Sequence, residues 1–233
     1  MKTFHHLTLL GTSHIAQQSI QEVSQAIHQL QPHLIALELD ASRYYALTHR
    51  KKRKTKLSDL PHIGLKGYLF ASIGAYLQKK LGEIVHVQPG SEMLTAIKLA
   101  KQNKIKIALI DQPLQVTLKR FSEEFTFKEK LRFLADLFKG LFFRKRELKK
   151  YGLNQFDLTK VPPQKLIRKL IRNLKKRYPS LYKVLIQERN QVIARNLFHL
   201  MQKNPQEKIL AVVGAGHEVE IINLLKKYFR KAK

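Results

Sequence analysis

The sequence predicts an α/β domain in which a central, largely parallel sheet is flanked by helices and carries a basic helical insertion. Three observations lead there. Four short, mostly apolar runs recur along the chain: "HLTLLG" (6–11), "LIALELD" (34–40), "IKIALID" (105–111) and "ILAVVG" (209–214). Strands that are apolar along their length are buried on both faces, as parallel strands covered by helices are. Between the runs lie stretches of helical periodicity. The third observation is a change of texture over 128–183, where eighteen lysines and arginines face only Glu129, Asp136, Glu147 and Asp157.

In chain order, the first run is a buried strand that ends at Gly11. "AQQSIQEVSQAIHQL" (16–30) then puts Ile20, Val23, Ile27 and Leu30 on one helical face, and Pro32 closes that helix. The second strand brings Glu38, completing a βαβ unit. "RKKRKTK" (50–56) reads as a basic loop, residues 65–81 as a helix and "GEIVHVQPG" (82–90) as a short strand and turn. A helix, "SEMLTAIKLAKQN", precedes the third strand, which ends in Asp111. Pro162–Pro163 and Pro179 cut the basic region into segments, an insertion or lid over about 121–180 within a single domain of residues 1–233. Its phenylalanines, among them Phe133, Phe138, Phe142 and Phe143, have helix-packing spacing. A long helix over 181–201 follows, then the last strand and a closing helix, "EVEIINLLKKYF".

Composition narrows function. With 44% hydrophobic residues the chain can bury a core, and with no cysteine it excludes disulfides, zinc fingers and thiol chemistry. A formal charge of +27 favours a polyanionic neighbour: an anionic membrane surface or, with less support, nucleic acid, for which no recognised motif is present. The N-terminus does not read as a signal peptide, and the apolar stretch 65–77 falls short of the roughly 20 residues that span a bilayer. A cytoplasmic, soluble chain is expected. The oligomeric state is open, a homodimer included.

"LLGTSH" (9–14) and "VVGAGH" (212–217) are both apolar strand ends followed by Gly-x-x-His. Ligands of open α/β sheets sit beyond the carboxyl ends of the parallel strands. His14, His217, Glu38 and Asp111 therefore converge on one rim if the strands lie parallel, with the two histidines as neighbours. Such a set suits a metal ion or general acid–base chemistry. The glycines read as tight strand-to-helix turns. A phosphate loop is excluded: no Gly-x-x-x-x-Gly-Lys-Ser/Thr occurs, and Gly214-x-Gly216 lacks a third glycine. "IQERNQVIARNL" adds Glu188 and Arg189 beside a core face, and "ELDASRY" pairs Glu38 with Arg43.

These blocks resemble the TraB/PrgY/GumN family, relatives of the Tiki proteases. Its markers recur in order over essentially the whole chain: "GTSH", "ELD" with Arg43, "QPGSEMLTAIKLAKQNKIKIALIDQPLQVTLKR", "LIQERNQVIARNL" and "VVGAGH". The resemblance implies an EreA/ChaN-like fold and a metal-dependent peptidase or hydrolase using a divalent ion of the Mn, Co or Zn type. His14, His217 and Glu38 would be its metal ligands. Glu38 or Glu188 would take the proton of the attacking water, and Arg189 or Arg43 would stabilise the oxyanion. The partner is then a peptide, as substrate or, if the pocket binds without turnover, as ligand. Two positions depart from the family pattern: Asp111-Gln112-Pro113 stands where Asp-Arg-Asp is common, and Asn190 follows Glu188-Arg189 in place of an acid. Many relatives continue into a C-terminal membrane domain; one beyond residue 233 would hold this domain at a membrane.

Overall fold

A computed structural model describes residues 1–12, 17–49, 90–142 and 163–232, and only the backbone of 137–142. The basic loop 50–56, the helix expected over 65–81, the strand of 82–90 up to residue 89 and residues 143–162 of the insertion lie outside these ranges. So does His14.

The sheet has five strands: β1 (Lys2–Phe4), β2 (Leu7–Thr12), β3 (Leu34–Leu37), β4 (Lys106–Leu109) and β5 (Ile209–Gly214), in the order β1-β2-β5-β3-β4. The pairs β2–β5, β5–β3 and β3–β4 are parallel, and only β1 runs antiparallel, against β2. The expected α/β architecture is therefore present. β1 is an addition to it: the first apolar run is preceded by a hairpin that turns at His5, whose φ is +52°. Without glycine or asparagine in that turn, the sequence holds no hairpin signal.

Helices cover both faces. The described ones are α1 (Gln17–Leu30), α2 (Ala41–Thr48), α3 (Ser91–Gln102), α4 (Leu114–Glu124), α5 (Phe127–Phe142), α6 (Gln164–Arg177), α7 (Pro179–Tyr182), α8 (Arg189–Lys203) and α9 (Glu218–Lys231). Alternation along β5 shows why the sheet needs two covers. Ile209, Ala211 and Val213 pack on one face with Ile193, Leu197 and Met201 of α8 and Ile221 and Leu225 of α9. Leu210 and Val212 pack on the other with Val23 and Ile27 of α1 and Met93, Ala96 and Ile97 of α3. Each helix supplies an apolar stripe at i, i+3, i+4 spacing, which removes both faces of the parallel strands from water.

The long helix expected over 181–201 is interrupted. Between α7 and α8 the chain winds as a π-helix over Lys183–Glu188. Its periodicity in sequence is that of a continuous helix, so the wider turn is invisible there, and such turns often adjoin functional positions. Among the described residues, no helix is long and apolar enough to cross a membrane.

Candidate functional site

The rim is built by the residues that leave the sheet at the carboxyl ends of β3, β4 and β5. Glu38 directly follows β3, and its backbone N–H donates to the Val212 carbonyl of β5 at 3.1 Å. The residue is buried at 3% exposure. One carboxylate oxygen, Oε2, accepts from the Gly214 amide at 2.6 Å. The other, Oε1, accepts from the Arg189 guanidinium and lies 3.5 Å from His217 Nε2.

Arg189 opens α8 immediately after the π-helical turn and bridges two strands. Besides Glu38 it binds Asp111, which follows β4, through Nη2 at 2.6 Å. Asp111 Oδ2 also accepts from Arg43 Nη2 at 2.6 Å. Arg43 in turn holds Asp40, through Nε at 2.9 Å and its own backbone amide at 2.9 Å. Asp40 is the N-cap of α2, and its Oδ2 accepts from the Leu114 amide at the start of α4 at 3.1 Å. Signs thus alternate from Glu38 through Arg189, Asp111 and Arg43 to Asp40. Three carboxylates against two guanidiniums leave the chain of charges at net −1 with His217 neutral, suited to a cation.

Burial opposes the charge on Arg189, yet Glu38 and Asp111 outweigh it and raise the guanidinium above its ordinary pKa. Asp40 shows the same contest: burial pushes its carboxyl up, and the bonds from Arg43 and Leu114 override that and hold it below the ordinary value.

His217 sits at the N-cap of α9, 6% exposed, with Nδ1 2.6 Å from Asn190 Oδ1. In the tautomer that donates from Nδ1 to Asn190, Nε2 turns its lone pair toward Glu38, an arrangement that calls for a cation between the two. Asn190 is fully buried, and its Nδ2 has no hydrogen-bond partner among the described residues. Among the described residues, no three His, Asp or Glu groups are gathered tightly enough to hold an ion. The pair His217 Nε2 and Glu38 Oε1 nonetheless fits one. Two donors each ~2.1 Å from a tetrahedral ion lie about 3.4 Å apart, close to the observed 3.5 Å. A third donor has to come from elsewhere.

The expected neighbour is His14. β2 and β5 are parallel partners in the middle of the sheet, and Thr12, the last residue of β2, pairs with Gly214. The strand that leads to the first Gly-x-x-His thus ends beside the strand that leads to the second. His14 itself is outside the described residues. Gly214 and Gly216 lie in the expected tight strand-to-helix turn, which the His217 N–H closes onto the Gly214 carbonyl at 2.9 Å, although none of Gly11, Gly214 and Gly216 has a positive φ. Gly11 serves close packing: a Cβ there would stand 3.1 Å from the Ala215 backbone in the other Gly-x-x-His loop.

Of the other expected site residues, Arg43, Arg189, Glu38 and His217 come together. Glu188 does not join them, for it accepts from Arg120 of α4 at 3.0 Å, in a surface group with Glu123 and Glu124. Successive helical residues point about 100° apart, so Glu188 and Arg189 reach different neighbours. Gln112, where the family pattern has arginine, donates to Thr117 Oγ1 at 2.8 Å and does not reach Glu38. Two participants were readable but not assigned: Asp40, placed as an N-cap by "DASR", and Asn190, three residues before the core position Ile193.

The chain matches the TraB/PrgY/gumN family over residues 2–228. It is 38% identical over 221 residues to an uncharacterized protein of Methanocaldococcus jannaschii, covering 94% of this chain and 53% of that protein. It is 24% identical over 237 residues to the human TraB domain-containing protein, covering 90% of this chain and 60% of that protein, and equally to its mouse counterpart. The chain therefore spans between half and two thirds of the length of these relatives. By the extent of the family match and the order of its markers on the sheet, this chain belongs to the TraB/PrgY/gumN family.

Proposed function

We propose that this domain is a divalent-metal-dependent hydrolase acting on peptide bonds. The observation that carries this reading is the His217–Glu38 pair, an imidazole nitrogen and a carboxylate oxygen 3.5 Å apart at the ends of adjacent parallel strands. His217 Nε2 and Glu38 Oε1 would hold the ion, with His14 as the third ligand. A divalent ion held there supplies Lewis-acid polarisation of the substrate carbonyl. Asn190 fixes the ring of His217, so that Nε2 presents its lone pair. Arg189, locked by Asp111, keeps a positive charge next to the pair, where it stabilises a developing oxyanion. Of the two candidate bases only Glu38 adjoins the pair, and it would take a proton only in place of ligating the ion; Glu188 is engaged by Arg120.

The test is cleavage of a mixed peptide library by the purified chain with manganese, cobalt or zinc added, with and without chelator. The proposal expects chelator-sensitive turnover that disappears in His217→Ala and in Glu38→Gln. A second reading has its own observation: both Glu38 oxygens already accept hydrogen bonds, from Gly214 and Arg189. A pocket so saturated suits a peptide-binding module that does not turn its ligand over. Metal-dependent thermal stabilisation without cleavage of any peptide would select that reading.

A further inference from the structure

We propose that helices α5 and α6 form a docking surface for an anionic lipid bilayer. The carrying observation is an exposed apolar stripe on the described side chains of α5, residues 127–136. Phe127, Leu131 and Leu134 lie on one helical face at i, i+4 and i+7, and they are 72%, 53% and 60% exposed. The side turned to the protein carries Phe133, whose ring meets Phe125 and Tyr178, together with buried polar groups. Glu129 is buried and accepts from the Ser180 amide at 2.9 Å. Asp136 is held by Arg177 and by the Tyr178 hydroxyl at 2.6 Å. Packing against the body thus combines the Phe133 ring with ion pairs and hydrogen bonds, while Phe127, Leu131 and Leu134 face outward. Clustered apolar exposure of this kind marks a surface that something covers.

The charge next to it says what. Asp136 and Arg177 clamp the end of α6 onto α5. α6 has no acidic residue, and Lys165, Arg168, Lys169, Arg172, Lys175 and Lys176 are all exposed. Their spacing gathers them into one arc of the helix, opposite the half-buried Leu170 and Leu174 and the buried Ile167. None of the six pairs with a carboxylate among the described residues. Exposed leucines beside unneutralised cations match the two layers of an anionic membrane surface, acyl chains below and phosphate above. Nucleic acid would answer the cations but not Leu131 and Leu134, which offer no flat ring for a base. A second copy would answer the leucines but bring a further +27 against the first.

The experiment is co-sedimentation of the full chain with vesicles of phosphatidylcholine alone or mixed equally with phosphatidylglycerol, at low and raised salt. Retention is expected on the mixed vesicles and not on the neutral ones. The double variant Leu131→Gln/Leu134→Gln and the double variant Arg168→Glu/Arg172→Glu should each lower partitioning by about tenfold or more, with unchanged circular dichroism. The chain has no tryptophan. Phe127→Trp therefore supplies a single reporter, whose emission should shift to the blue on mixed vesicles only. Absence of retention at low salt overturns the proposal, as does an unshifted Phe127→Trp emission. It is also overturned if the leucine variant binds vesicles and duplex DNA as the parent does, or if that variant instead dissolves a dimer seen by sedimentation equilibrium.

Discussion

Glu188 and Arg189 are adjacent in sequence and belong to two unlike charge networks. Arg189, 16% exposed in its side chain, lies between Glu38 and Asp111, whose side chains are 2% and 1% exposed. Glu188 joins Arg120, Glu123 and Glu124, where side-chain exposures run from 22% to 47%. Both networks are dense. The carboxylates of the first are shut away from water, Asp40 at 5% included, although Arg43 at their edge is 31% exposed. Those of the second are not. In the first, each carboxylate left without its arginine becomes a buried, uncompensated charge. In the second, water and counter-ions replace a lost partner. Burial, not the number of ion pairs, therefore decides which network shapes the molecule.

The largest effect should come from breaking the buried network at its bridge. Arg189→Leu is expected to cost about 3–5 kcal/mol in chemical denaturation, because Glu38 and Asp111 lose a shared cation in the interior. Should Arg189→Leu unfold at the parent's denaturant midpoint, the contrast between the networks fails. Next comes Asn190→Ala, which leaves Nδ1 of His217 without its acceptor. That change should cost about 1–3 kcal/mol. If His217 holds an ion, calorimetric titration should also show metal affinity weakened by about 10–100-fold.

A smaller, pH-dependent effect sharpens the comparison from the acid side. The folded state holds Asp40 below its ordinary value of 3.8, so its stabilisation is present above that pH. It is lost as pH falls through the lower, folded value. Thermal midpoints measured between neutrality and strong acid should fall less steeply in Asp40→Asn than in the parent. The smallest effect is expected from Arg120→Ala, under about 1 kcal/mol by denaturation, since its partners remain solvated. A loss as large as that of Arg189→Leu would show that exposure does not separate the two networks.

Much of this arrangement was legible in the sequence, for identifiable reasons. The runs "LTLL", "LIAL" and "ILAVV" are apolar without alternation, so burial on both faces and a parallel sheet followed directly. The acids and histidine that follow these runs had to sit at one rim. The almost purely apolar "LTLL" and "ILAVV" also placed the first and last strands together in the middle of the sheet, as β2 and β5 are. That β3 follows on the far side of β5 was not legible. Nor was β1, three residues long with a turn through His5. Helical geometry separates Glu188 from Arg189 and puts Arg189, three and four residues before Val192 and Ile193, at the core face, where it meets Glu38 and Asp111. That Glu188 meets Arg120 needed the fold. Asn190 could be marked as a departure from the family pattern; its contact with His217 needed the fold.

Under the proposed function His217 and Glu38 are two ligands of one ion, with His14 proposed as the third. Elemental analysis of the purified chain, repeated on His217→Ala and His14→Ala, addresses that claim most directly. About one divalent ion per chain is expected in the parent, lost in both variants while their circular dichroism is retained. A parent that takes up no divalent ion, or a folded His217→Ala variant that keeps its metal, would contradict it.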